Sequence, residues 1–434
     1  MFRTFVNAFK IPELKKKLLF TALILVLYRV GACLPVPFVR AEVFASFMTQ
    51  NSGTLFSFFS FLSGSSFSQA ALFALGVSPY ITSSIVVQLL AVAFPKIAGD
   101  GENGKQRMQT ITRYVTVGVA LVTAIGYYMI LKNSGALMFN GFFYALIIVA
   151  CYCAGSSLVM WLGEKINEHG IGNGISLILF ANIISSVPSL LIYLYGEITS
   201  PKWLRGIIFT VGVAVFMCAL IWLIIYISDS ERRIPVQYAK KVVGRKMYGG
   251  QNTNLPIKLN MTGVMPIIFA NAIVSIPSTI NMFVTPEVGT FWYRFFTWFT
   301  VNHWVYAVLT LILIVFFAYF YTAISFNPVE VANNMQKNGG SIPGVRPGRA
   351  TSDFITKILH RVTLIGALYL AVIAVLPVIV NFILVNFIPN ASDLQFGAFA
   401  FGGSSIIIVV GVILETAREI EAQMTMRHYK GFLD

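Results

Sequence analysis

The chain has 434 residues, 57% of them apolar and only 11% charged, with a mean hydropathy of +0.76 and a formal net charge of +14 at pH 7. A soluble globular domain has no use for so apolar a composition, so the chain reads as an integral membrane protein. The basic excess also suits nucleic acid, but its distribution decides against that partner: with sides alternating from an inside start, cytoplasmic segments hold 25 of the 31 Lys and Arg and external segments five. That asymmetry follows the positive-inside rule and predicts both termini in the cytoplasm.

Runs of about 20 apolar residues, enough to cross about 30 Å of hydrocarbon as helix, begin near Leu18, Ala71, Val115, Gly141, Ile175, Gly206, Met261, Val305, Val362 and Phe396 and predict ten spans. The first run follows Lys15, Lys16 and Lys17 and ends in Val30-Gly31-Ala32-Cys33, a loose likeness to a lipoprotein leader. Arg29 interrupts the apolar region and nine further runs follow, so a span is the better reading. Next comes NSGTLFSFFSFLSGSSFSQ, residues 51–69, with five Phe, seven Ser and no charge. It is too short and too broken to span, and it reads as a re-entrant stub.

The second run contains G-V-S-P-Y-I (76–81) and the seventh G-V-M-P-I-I (263–268), offset by 187 residues. The first and sixth runs share nearly the same offset, so the chain divides into halves of five spans, and an odd number of spans per half makes the repeat inverted. Helical rise places Ile81 and Ile268 near the midplane. A proline within each of these spans predicts a lost backbone hydrogen bond and a loosened turn.

Several stretches resemble chemical motifs and fail on detail. GDGENGKQ (99–106) nearly satisfies the P-loop pattern, but Gln106 stands where a hydroxyl must bind Mg²⁺, and a span precedes it instead of a strand. GIGNG (170–174) lacks dinucleotide spacing and reads as a flexible lead into the fifth span. Cys151 and Cys153 are two apart on a helix and cannot clasp one metal, Cys33 and Cys218 lie in other spans, and the four His are scattered. No catalytic constellation sits at membrane depth, so the reading is a non-enzyme without cofactor or metal. Arg29 is the one ionisable group inside a span, and its role stays open. Gln88, Asn182 and Asn271 offer uncharged polarity instead, a poor basis for a coupled ion transporter.

Two cytoplasmic loops exceed what joining helices requires. Residues 230–260 carry seven basic residues interleaved with Tyr238 and Tyr248 and predict a hairpin reaching into the cytosol. In 327–354, Gly-Gly and Pro-Gly breaks project Arg346 and Arg349 on a turn. Both suit partner binding.

YRVGACLPVP (28–37), ALFALGVSPYITSSIVVQLL (71–90), GIGNGISLILFANII (170–184), ERRIPVQYAKK (231–241), LPIKLNMTGVMPIIFA (255–270), GGSIPGVRPGRAT (339–351) and FGGSSIIIVVGV (401–412) together resemble the SecY family, the channel subunits of bacterial Sec translocons. The likeness runs end to end and in order. It implies an all-α membrane protein with ten transmembrane helices in two inverted pseudo-symmetric halves of five. Residues 1–200 form the N-terminal half with a short re-entrant plug helix near 54–67, and 201–434 form the C-terminal half with the loops 230–260 and 327–354. The implied function is translocation of unfolded secretory proteins across the cytoplasmic membrane with lateral release of membrane segments into lipid. A secondary transporter for a small solute is the alternative.

By motif, the resemblance assigns the pore ring to Ile81, Ile85, Leu179, Ile183, Ile268 and Ile408, with Leu179 where the family often has Ile. It assigns the plug to Thr54, Leu55, Phe56, Phe58, Phe59, Phe61, Leu62, Gly64 and Phe67, and the lateral gate to Gln88 and Asn271 between spans two and seven. Lys240, Arg245 and Arg346 are assigned to contact with a motor or ribosome. Implied partners are the small subunits SecE and SecG, the motor ATPase SecA, the ribosome, signal peptides with their unfolded precursors, and membrane lipids.

Overall fold

A computed structural model of the chain describes residues 8–50, 63–94, 101–199, 203–238, 241–243, 246–248, 252–281, 290–299, 303–387 and 402–430. The first half of the chain forms α1 (Pro12–Cys33), the short α2 (Ala41–Gln50), α3 (Ser78–Ala93), α4 (Gly101–Asn133), α5 (Phe142–His169) and α6 (Gly174–Thr199). After α7 (Trp203–Ser228) come four strands, β1 (Glu231–Tyr238), β2 (Lys241–Val243), β3 (Lys246–Tyr248) and β4 (Asn252–Lys258). The chain continues with α8 (Met265–Asn281), the short α9 (Phe291–Trp298), α10 (Trp304–Ser325), α11 (Pro328–Lys337), β5 (Gly340–Ser341), α12 (Arg349–Phe387) and α13 (Gly402–Lys430). Among the described residues ten helices have 16 residues or more, one for each apolar run. Helices α4, α5, α7, α10 and α12 are long and apolar enough to cross a membrane, and α3, α6 and α8 carry the shorter apolar stretches Ser78–Ala93, Gly174–Pro188 and Met265–Pro277.

The second and seventh runs start differently from their hydropathy. Helix α3 begins at Ser78, after a series of turns through residues 63–77, and α8 begins at Met265. Gly76 and Gly263, the first residues of the repeated motif, have φ of +56° and +63°, a left-handed backbone that only glycine adopts without strain. Pro79 and Pro266 then occupy the second helical position. The repeated G-V-x-P is thus a pair of helix starts, and the mid-span kink expected from these prolines is corrected: in a first turn no i−4 acceptor is lost. The prolines that do sit inside helices are Pro188, Pro277 and Pro377, in α6, α8 and α12.

Helix pairing shows the repeat in space. In the first half α3 packs on α4, α4 on α5 and α5 on α6, with α1 against α5 and α6. In the second, α8 packs on α10, α10 on α12 and α12 on α13, with α7 against α13. The halves meet along two seams, α6 with α7 and α13 on one side and α3 with α8 on the other. The largest apolar cluster of buried side chains lies between these seams and draws on both halves. At one end of the bundle Arg418 of α13 donates to the Asp229 carboxylate at 2.6 Å and to the Ser228 carbonyl at 2.7 Å, tying α13 to the end of α7.

Close approach fixes some of this packing. Gly155 on α5 lies against the Leu72 carbonyl of the turn segment, where a Cβ would overlap backbone rather than a movable side chain. Gly155→Val is expected to destabilise the protein by about 3 kcal/mol. Gly118→Ala on α4, where nothing lies within 4 Å of the added methyl, is expected to be neutral or stabilising by up to about 1 kcal/mol. Thermal unfolding of the two purified variants in detergent checks both.

Candidate functional site

The six aliphatic residues assigned to a ring come from four helices. Ile81 and Ile85 lie four apart on α3, and Leu179 and Ile183 four apart on α6, so each pair shares a helix face. Ile268 is in the first turn of α8 and Ile408 in the second turn of α13. All six belong to the central apolar cluster and none is more than 7% exposed. The helix starts at Ser78 and Met265 are what bring Ile81 and Ile268 to the ends of their helices. Branched aliphatic chains hold no ion, and a narrow apolar constriction excludes water by dewetting. Such a cluster can resist ions yet part around a polypeptide of any sequence.

Of the residues assigned to the plug, Thr54, Leu55, Phe56, Phe58, Phe59, Phe61 and Leu62 lie outside the described residues. Gly64 and Phe67 fall in the turn segment 63–77, where Phe67 is buried against Phe44 and Tyr127. This segment is held by side chains to which the sequence reading gave no role there. The Tyr127 hydroxyl donates to the Phe67 carbonyl at 2.5 Å and the Tyr152 hydroxyl to the Ala70 carbonyl at 3.2 Å. The Gly64 carbonyl accepts from the Ser185 hydroxyl at 3.3 Å and from Arg29 Nη1 at 3.5 Å. Tyr28 stacks on Phe73 and donates to Asn182 Oδ1 at 2.8 Å. Arg29, whose role the sequence left open, therefore reaches the segment that leads into α3. A tyrosine hydroxyl or guanidinium in an apolar span must find a partner, and that rule was the available clue to these residues.

Gln88 and Asn271 stand on the facing helices α3 and α8, but they are not hydrogen-bonded to each other. Gln88 Oε1 accepts from the Tyr321 hydroxyl of α10 at 2.6 Å, and Gln88 Nε2 donates to Ser84 Oγ at 3.0 Å. Tyr321 also stacks on Phe269 of α8, with ring centroids 5.1 Å apart and an interplanar angle of 21°. One side chain of α10 thus joins both lips of the α3–α8 seam. Asn271 is buried with its Oδ1 lacking a donor, which leaves the desolvation of that oxygen uncompensated.

The two basic loops form one body. Strand β1 pairs antiparallel with β4 from Glu231↔Lys258 to Gln237↔Asn252, and β5 from the other loop joins the opposite edge of β1 at Gln237↔Ser341. Ile234, Val236 and Ile257 of the sheet pack on Met335, Ile342, Ile355 and Leu359 in a separate apolar cluster. Arg346 and Arg349 are exposed beyond this sheet, with the Arg346 carbonyl held by the Thr351 hydroxyl at 2.9 Å. Lys240 and Arg245 lie outside the described residues. Partial withdrawal from water, and then Arg418 nearby, pull the Lys258 ammonium below the usual lysine range, while Glu231 and Asp229 oppose the shift. Among the described residues no group of three or more His, Cys, Asp or Glu is placed to hold a metal ion.

The family model for SecY matches residues 71–417. The protein translocase subunit SecY of Streptomyces coelicolor is 41% identical over the whole of both chains, that of Corynebacterium glutamicum 38% over 99% of each, and that of Mycobacterium tuberculosis 38% over the whole of both. Among solved structures, one concerning the plug domain of SecY in the closed state of the translocation channel covers 96% of each chain with a TM-score of 0.64 at 17% identity. Sec61 from the canine ribosome-channel complex of the endoplasmic reticulum gives 0.60 at 17% identity over 96% of each chain. At those identities the structures speak to the fold.

The bridge through Tyr321 is testable as a pair. Tyr321→Phe and Gln88→Leu are expected to show a favourable coupling of about 1 kcal/mol in a double-mutant cycle, the size of an interhelical hydrogen bond within a membrane. Thermal unfolding of the four proteins in detergent gives the value, and strictly additive losses would mean that the bond does not tie α3 to α10.

Proposed function

The chain belongs to the SecY family, and from that premise we propose that it is the channel through which unfolded secretory proteins cross the cytoplasmic membrane and from which apolar segments leave sideways into lipid. That it is a protein-translocation channel follows from relatives 38–41% identical over essentially their full length. These relatives lend nothing to the alternative of a secondary transporter for a small solute. A channel subunit carries no chemistry of its own, so transport draws its energy from a partner.

The observation that carries the mechanism is the single uncharged cluster formed by Ile81, Ile85, Leu179, Ile183, Ile268 and Ile408, placed between the two seams where the halves meet. In the proposed cycle an apolar signal segment enters at the α3–α8 seam, and its binding shifts the population toward a parted state. The α6–α7 side is the hinge. Its division near residue 200 accords with the two successions of helix pairs. The turn segment carrying Gly64 and Phe67 is the trailing end of the plug, which covers the ring at rest.

Orientation is read from Lys and Arg: both termini and the β1–β4–β5 sheet face the cytoplasm. There Lys240, Arg245 and Arg346 meet the motor ATPase SecA or the ribosome. Exposure of Arg346 beside a rigid sheet supports this, because basic side chains on a fixed turn suit an acidic protein surface or RNA phosphate. SecE and SecG complete the complex within the membrane.

Purified chain reconstituted with SecE and SecG is expected to translocate an unfolded precursor into vesicles only when SecA and ATP are supplied. Saturable uptake of a small solute without them would overturn the reading. Arg346→Glu is expected to cut motor-driven translocation by about tenfold while leaving insertion and folding intact, since reversing an interfacial charge costs several kcal/mol at most. In planar bilayers, deleting residues 54–67 should produce intermittent ion conductance. Ile408→Asn should raise that leak by about an order of magnitude by letting water wet the constriction. Equal tightness of both variants and wild type would mean that neither element seals the pore.

A further inference from the structure

Helix α9, FWYRFFTW, stands apart from the bundle at the end opposite the sheet, between the end of α8 and the start of α10, and packs lightly on both. At 100° per residue Trp298, Phe291, Phe295, Trp292 and Phe296 fall on one arc of about 160°, with Tyr293, Arg294 and Thr297 on the opposite side. The protein covers only part of that arc. Phe296 is 7% exposed, but Phe291 is 66%, Trp292 56% and Trp298 41% exposed. The rings brace one another, Trp292 lying 6.0 Å from Phe295 and Phe295 5.6 Å from Phe296.

We infer that α9 is an interfacial anchor lying flat in the outer leaflet, its aromatic arc sunk to the level of the glycerol backbone and Arg294 turned to lipid phosphate. Three observations favour lipid over a protein partner. The neighbouring α10, long and apolar enough to cross a membrane, carries an exposed apolar stripe, Trp304, Val308, Ile312 and Phe316, recurring every four residues. Tryptophan and tyrosine concentrate at membrane interfaces because their rings are apolar and their N–H and O–H groups prefer a wet neighbour. The polar residues Tyr293, Arg294 and Thr297 centre nearly opposite the middle of the exposed aromatic arc, as a helix lying on a bilayer requires and a helix buried between proteins does not. Because α9 packs on both α8 and α10, the anchor holds the outer end of the seam helix α8 at a fixed depth. The inference needs only that the chain spans a membrane with this end outermost, and it stands apart from the translocation mechanism.

The test is fluorescence depth measurement on a variant keeping Trp292 alone, with Trp161, Trp203, Trp222, Trp298 and Trp304 replaced by Phe. In vesicles containing phosphatidylcholine brominated near the glycerol or deep in the chains, shallow bromines should quench Trp292 about twofold more than deep ones, with aqueous iodide quenching weakly. Free quenching by iodide would put the helix in water, and protection from every quencher would put it under protein. Either result overturns the inference. Should that variant misfold, the wild-type chain can be irradiated in vesicles doped with a phospholipid bearing a carbene precursor next to the glycerol. Adducts within residues 291–298 are expected, and adducts on Trp304 and Val308 without any on α9 would overturn the anchor.

Discussion

An unpartnered backbone amide or carbonyl in a hydrocarbon setting costs several kcal/mol, so non-helical chain survives at membrane depth only where protein supplies the missing hydrogen bonds. The turn segment 63–77 depends on that constraint, and much of the first half is arranged around it. Tyr127 reaches in from α4, Tyr152 from α5, Ser185 from α6 and Arg29 from α1, each donating to a carbonyl of the segment. Backbone of the α1–α2 connection adds two more bonds, Leu72 N–H to the Leu34 carbonyl and Val36 N–H to the Ala70 carbonyl. Four helices are thereby held around a stretch of turns rather than simply packed on one another.

The same constraint explains the form of α3 and α8. A helix that starts inside the protein leaves its first N–H groups without intrahelical partners. Proline at the second position removes one of those donors, and the left-handed glycine before it turns the chain into the helix. Using this start twice gives the two halves matching short helices, and in each the motif's last isoleucine, Ile81 or Ile268, falls in the first turn. The apolar cluster is therefore built partly from helix ends.

Polar groups near that cluster are few and divided by purpose. Gln88 and Tyr321 satisfy each other across helices at 2.6 Å, which ties α3 to α10 at an energy of about 1 kcal/mol or less. Asn271, by contrast, is buried with an unused acceptor, a desolvation cost of about 1–3 kcal/mol.

Hydropathy and charge count alone determined the membrane class, the number and approximate places of the apolar runs and the expected orientation, because a bilayer imposes length and composition locally on each segment. The ordered motifs identified the family, and the repeated G-V-x-P disclosed the internal repeat. They also pointed to six aliphatic residues that the fold gathers into one cluster, although periodicity alone selects none of them from dozens of similar residues. Tertiary structure decided where α3 and α8 begin, because a turn segment lined by apolar side chains has the hydropathy of a span until its donors and acceptors are placed. It also decided that Arg29 and three tyrosines serve that segment or the residues packed on it, that Gln88 bonds to Tyr321, and that two loops about 100 residues apart share one sheet. Each of these is a pairing between residues distant in the chain, and such pairings exist only once the helices are packed.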